Sequence, residues 1–163
     1  MLDLLLLVSL LIWVPLIPLR LFLQAGGSLW RQWGDLTYWG LFIYWAIVDI
    51  FLVRYRTPLM QGARFDAPLP VVFLGVILAL AAIAFGYWTV QTLGLITLST
   101  RPQITPKKAR AALIADGPYR LLRHPFYFTE WVLLLGLSLI TASWLVVLLL
   151  VLAILIDPLV TFF

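Results

Sequence analysis

The chain has 163 residues, 64% of them hydrophobic and 11% charged, with a mean hydropathy of +1.07 and a formal net charge of +4. That balance excludes a soluble globular domain and defines an integral membrane protein. The absence of cysteine excludes disulfides, thiolate metal sites and thiol redox catalysis.

The first apolar run starts at Leu4 with only Asp3 as a charge ahead of it and no basic leader, and continues to about Leu23. It reads as a retained span, 2–23, rather than a cleaved signal peptide. Pro15 and Pro18 are expected to kink it, since each removes an amide donor and crowds the carbonyl one turn earlier. A second span covers 36–53 and a third 69–98, where Gly75, Gly86 and the alanines from Ala79 to Ala84 offer small faces for close helix approach. The final apolar stretch is too long for one crossing at about 1.5 Å per residue. Thr141-Ala142-Ser143 interrupts it just before Trp144, which predicts a helical hairpin of spans 126–141 and 144–163. Lipid offers backbone amides no partner, so each span must be helical. The fold class is therefore all-α integral membrane: one domain, 1–163, with five transmembrane helices and a loop over 99–125.

Short loops rich in Lys and Arg stay cytoplasmic. Arg101, Lys107, Lys108, Arg110, Arg120 and Arg123 place the 99–125 loop inside, together with a first inner loop carrying Arg20 and Arg31. Arg54, Arg56 and Arg64 then fall outside, as does the N-terminus, and the C-terminus is cytoplasmic. Trp30, Trp33, Tyr38 and Trp39 form an interfacial aromatic belt near the first inner loop.

Within the 99–125 loop, Thr105-Pro106-Lys107-Lys108 reads as an N-cap and first-turn proline of a short surface helix. Asp116-Gly117-Pro118 signals a turn, after which a helix runs to about Arg123 and is broken by Pro125. The residue before a proline is pushed out of the helical region, so His124, the only histidine, is presented at a bend where the fourth span begins. Free amides at such a helix start suit an anionic group.

Gly117-Pro118-Tyr119, Arg123-His124-Pro125-Phe126-Tyr127, and then Glu130 and Gly136 on an apolar helix, closely resemble the signature of the isoprenylcysteine carboxyl methyltransferase and phospholipid methyltransferase superfamily. The paired last helices, the basic inner loop and Leu93-Gly94 extend the resemblance over roughly the second half of the chain. The resemblance implies a membrane enzyme that binds S-adenosylmethionine from the cytoplasmic side and methylates a lipidic acceptor, isoprenoid-like or phospholipid, arriving from the bilayer. It places cofactor contacts on Tyr119, Arg123, His124, Pro125, Phe126 and Tyr127. The family's upstream His-x-Leu-Val segment falls on Ala111 to Ile114, where Leu113 and Ile114 match and the histidine does not. Arg120, Glu130 and Asp157 are the substrate-binding candidates, and no catalytic residue or metal ligand is assigned. In the family a cytoplasmic segment with a glutamate pair follows the last span, whereas this sequence stops at Phe163, so it is expected to be a fragment of a longer protein.

Methyl transfer from a sulfonium is an in-line displacement that depends on positioning and water exclusion, so few titratable groups suffice. A carboxylate acceptor needs no base. For an amine, His124 is the ordinary candidate near neutral pH, although the resemblance assigns it to cofactor contact. Arg120 and Arg123 suit the cofactor carboxylate or an anionic head group, or else anchor the loop to anionic lipid, which for Arg120 is an equal alternative. Asp49 and Asp157 are intramembrane acids, which mark either a functional site or a paired structural group; Asp49 is expected to snorkel or pair with Arg54, and Asp157 is a candidate to face the cofactor pocket. Thr89, Gln91 and Thr92 either line that pocket or bond between helices. Two other readings stand beside the methyltransferase: an NADPH-dependent sterol or enone reductase, which Pro125 disfavours, and a non-catalytic scaffold. The expected partners are the bilayer and a lipidic small molecule, not nucleic acid, with the oligomeric state open.

Overall fold

The structure is a computed structural model that describes residues 2–25, 32–33, 35–61, 64–93 and 116–162. These form α1 (Leu2–Ala25), α2 (Asp35–Arg54), a short α3 (Arg56–Gln61), α4 (Leu69–Leu93), a 3-10 turn (Gly117–Arg120), α5 (Pro125–Thr141) and α6 (Trp144–Phe162). All five long helices anticipated from the apolar runs are present. Three of them are long and apolar enough to cross a membrane, over Leu2–Phe22, Leu36–Arg54 and Leu69–Thr92, while α5 and α6 contribute the shorter apolar stretches Pro125–Thr141 and Trp144–Pro158. The segments 94–115 and 26–31, with the expected helix at Thr105, the belt residue Trp30 and the loop residue Arg31, lie outside the described residues.

The α5–α6 hairpin turns where the small polar residues interrupt the last apolar stretch. Ala142 takes a left-handed conformation, φ 48°, and its N–H donates to the Ser138 carbonyl. That conformation costs a non-glycine residue about 1–2 kcal/mol. It is held from outside: the Phe65 N–H donates to the Ala142 carbonyl at 2.9 Å, and the Phe65 ring packs on Trp144 at 5.0 Å.

Two kinds of seam hold the bundle. Leu6, Leu10, Trp13 and Ile17 recur at helical spacing down one face of α1 and pack with Leu134 of α5 and Val146, Leu149 and Ala153 of α6. The seam between α4 and α5 is built from small residues and is the most extensive helix pairing in the structure. A Cβ on Gly75 would lie 2.8 Å from the Gly136 carbonyl, and one on Gly136 would lie 2.8 Å from the Ala79 amide, so the two backbones touch. This is the close approach that the small faces of α4 anticipated.

The two ends of the bundle differ. At one, Asp3 of α1 pairs with Arg64, which forms an isolated bridge with Ser143 at the hairpin turn. At the other, the C-terminal halves of α1 and α6 meet the start of α5.

Candidate functional site

Three buried stripes converge on charge at this second end. On α1 the series Leu6, Leu10, Trp13, Ile17 continues by three residues to Arg20. On α6, Val146, Leu149 and Ala153 continue by four to Asp157, and on α5, Leu134 lies four residues past Glu130. Both acids are 1% exposed. Charges at these positions must satisfy one another, because lipid cannot.

They do so through Arg20. Its Nη1 donates to Asp157 Oδ1 at 2.6 Å and its Nη2 to Glu130 Oε2, the fork geometry that a guanidinium supplies and an ammonium does not. Trp131 Nε1 donates to the second oxygen of Asp157 at 2.8 Å. The Arg20 guanidinium also lies over the Tyr127 ring, 5.2 Å from its centroid. Tyr127 in turn stacks on His124, with ring centroids 5.6 Å apart and planes 24° from parallel.

This placement corrects the reading of Arg20 as an inner-loop charge. It lies inside α1, three residues beyond Ile17 on the same face, with its side chain 12% exposed. It is a functional candidate that sequence reasoning missed, as is Trp131. The signal was present, since a span drawn from 2 to 23 already contains Arg20, and an intramembrane arginine calls for acidic partners.

His124 caps α5 with φ −130° and ψ 67°, outside the helical region as its proline neighbour dictates, and is exposed. Pro125 behind it is buried. The helix expected from Pro118 to Arg123 is a 3-10 turn that ends at Arg120, closed by bonds from Leu121 and Leu122 to the Pro118 carbonyl at 3.0 Å. Gly117 enters it at φ 59°, and a Cβ there would lie 2.7 Å from Thr92 Oγ1, so glycine is required both for the turn and for docking on α4. Partial burial pushes the Tyr119 phenol above its ordinary value, keeping it a neutral hydroxyl.

The structure therefore brings Tyr127, Glu130 and Asp157 together around Arg20, with His124 stacked at the edge. Arg120, Arg123 and Phe126 are exposed on the same segment, and Leu113 and Ile114 lie outside the described residues. Asp157 has both oxygens engaged within the bundle. Thr89 and Thr92 bond carbonyls of their own helix at 2.9 and 3.0 Å, and Gln91 bonds Tyr87 at 2.9 Å, so these bonds run within α4 rather than between helices. Asp49 takes a hydrogen bond from Trp45 one turn earlier.

On the far side of α1, Pro18, Leu19 and Phe22 face Thr37, Gly40, Leu41 and Tyr44 of α2 across an apolar crevice of about 240 Å³. Gly40 leaves open space there, with nothing within 4 Å of the point a Cβ would occupy.

An all-helical bundle with apolar spans and a buried charge cluster at one end defines a helical membrane protein. Residues 70–162 match the phospholipid methyltransferase family, and with more than half of its length so matched the chain belongs to that family, within the superfamily that also holds the isoprenylcysteine carboxyl methyltransferases. Membership points to a membrane methyltransferase acting on lipid. No curated protein and no solved structure matches the chain.

Proposed function

We propose that the chain is an S-adenosylmethionine-dependent methyltransferase that acts on a lipidic acceptor at the cytoplasmic face, with α1, α2, α4, α5 and α6 all crossing the bilayer. At 17 and 19 residues, α5 and α6 fall within the length a crossing takes, roughly 17–25 residues. The observation that carries the reading is the corner at the start of α5, where an exposed His124, stacked on Tyr127, stands beside buried acid inside the family-matched segment.

The residues present fit the cofactor. A sulfonium is a cation, and this corner offers it the aromatic rings of Tyr127 and His124. Tyr119, Arg123, His124, Pro125, Phe126 and Tyr127 would hold it, with Leu113 and Ile114, upstream in the sequence, as further candidates. Bound there, it supplies an electrophilic methyl group. The protein's part is orientation and exclusion of water: the Arg20 fork fixes Tyr127 against α1 and α6, and the Gly117 turn pins the loop to α4. The crevice between α1 and α2 gives the acceptor's hydrocarbon chain a berth that opens toward lipid past the exposed Phe22 and Trp33.

Titration of the full chain in lipid nanodiscs tests the reading: saturable binding of S-adenosylmethionine is expected, and saturation by NADPH instead would replace it with the reductase. His124→Ala is expected to abolish S-adenosylmethionine binding while leaving membrane insertion intact, and unchanged affinity would remove His124 from the site. Gly40→Phe should fill the crevice without strain, raising KM for the lipid about tenfold or more if about 1.4 kcal/mol of chain burial is lost, with cofactor affinity unchanged. An unaltered KM would place the hydrocarbon chain elsewhere.

A further inference from the structure

One guanidinium against two carboxylates leaves the Arg20–Glu130–Asp157 cluster with one negative charge too many when all three are ionised. Hydrogen bonding decides where that charge resides. Asp157 has both oxygens bonded, to Arg20 and to Trp131. Glu130 has only Oε2 bonded; its Oε1 is buried with no partner among the described residues. A carboxylate oxygen left without a donor inside a membrane bundle is costly, and a cationic N–H donor on a bound ligand would satisfy it.

We propose that Glu130 Oε1, braced by the Arg20–Asp157 pair, is the subsite for an ammonium nitrogen on a ligand bound at the His124–Tyr127 corner. The ammonium belongs either to the lipid head group or to the amino-acid portion of the methyl donor. It supplies the missing positive charge and an N–H donor for a charge-assisted bond. A carboxylate or phosphate is kept from the same position by like charge.

The inference rests on the methyltransferase reading, and the experiment separates the two. The full chain in nanodiscs is titrated with two pairs of probes: S-adenosylmethionine and its desamino analogue, and an aminolipid and its N-acetyl form. In one pair, wild type should favour the ammonium-bearing member by about tenfold or more, as a buried charge-assisted bond warrants. A preference in the first pair assigns the subsite to the donor, and in the second to the acceptor. Glu130→Gln, which keeps the shape and an oxygen for Arg20, should abolish that preference; Asp157→Asn, which removes the excess charge but leaves Oε1 in place, should only reduce it. Equal binding within both pairs overturns the subsite, as does a preference that survives Glu130→Gln. Because the wild-type comparison needs no variant, a Glu130→Gln protein that fails to fold does not protect the inference. If wild type binds no S-adenosylmethionine at all, the functional reading falls and takes the subsite with it.

Discussion

Arg20→Met is expected to destabilise the bundle by about 3–5 kcal/mol, because it strips both buried acids of their common cation. Unfolding of the purified chain in a graded detergent mixture measures it. Arg20→Lys should fall between wild type and Arg20→Met, since an ammonium on a flexible stem retains the charge but cannot reach two carboxylates with a planar fork. Combining Arg20→Met with Glu130→Gln and Asp157→Asn should recover most of the loss, because amides need no counter-charge. A single Arg20→Met variant as stable as wild type, or a triple variant no more stable than the single, would show that the cluster is not what ties α1 to the hairpin.

That tie matters because α1 lies outside the residues that match the family. The matched segment, 70–162, carries both acids, but their guanidinium comes from residue 20. The corner at His124 is thus completed by a helix that shows no signature of its own. Arg20 touches Tyr127 directly and reaches His124 through the ring stack, so a change in α1 is felt at both proposed cofactor contacts.

The all-helical class and the long helices were legible because lipid forces each apolar run into a helix, and small polar residues or prolines punctuate the runs. Even the hairpin at Thr141-Ala142-Ser143 could be placed, since an apolar stretch too long for one crossing must break somewhere. What the sequence concealed was direction. In a soluble helix the polar face marks the outside, but in α1 nearly every residue is apolar, and nothing in composition distinguishes the buried Leu6 and Leu10 from the exposed Leu4 and Val8. Arg20 was therefore counted with the loop that follows it. Once its facing is known, its position three residues past Ile17 makes it the end of the buried stripe. The motif from Gly117 to Glu130 was read from residue types that have local consequences: glycine for a positive φ, proline for the bend at His124. The hydrogen-bond partner of Glu130 was not local, lying 110 residues back at Arg20, and no spacing rule reaches it.

Gly136→Val should be the most damaging change among the apolar positions. Any Cβ at Gly136 would sit 2.8 Å from both the Ala79 amide and the Gly75 carbonyl, and these are backbone atoms that cannot swing aside as a side-chain tip would. Overpacking a tight core costs about 1–3 kcal/mol when side chains can adjust, so a clash with backbone should reach the top of that range or exceed it. Helix association in lipid has no hydrophobic drive to fall back on and depends on this contact. Detergent unfolding should show the loss. Cofactor titration should show a second effect, because α5 begins at the proposed site and packs on α4 through this seam, with Gly86 against Thr129 and Gly117 against Thr92 farther along it. Gly40→Phe, facing open space, is the control expected to leave stability unchanged. A Gly136→Val protein with wild-type stability would mean that α4 and α5 do not approach backbone to backbone, and the glycine-lined seam that carries His124 and the Gly117 turn to the same corner would have to be redrawn.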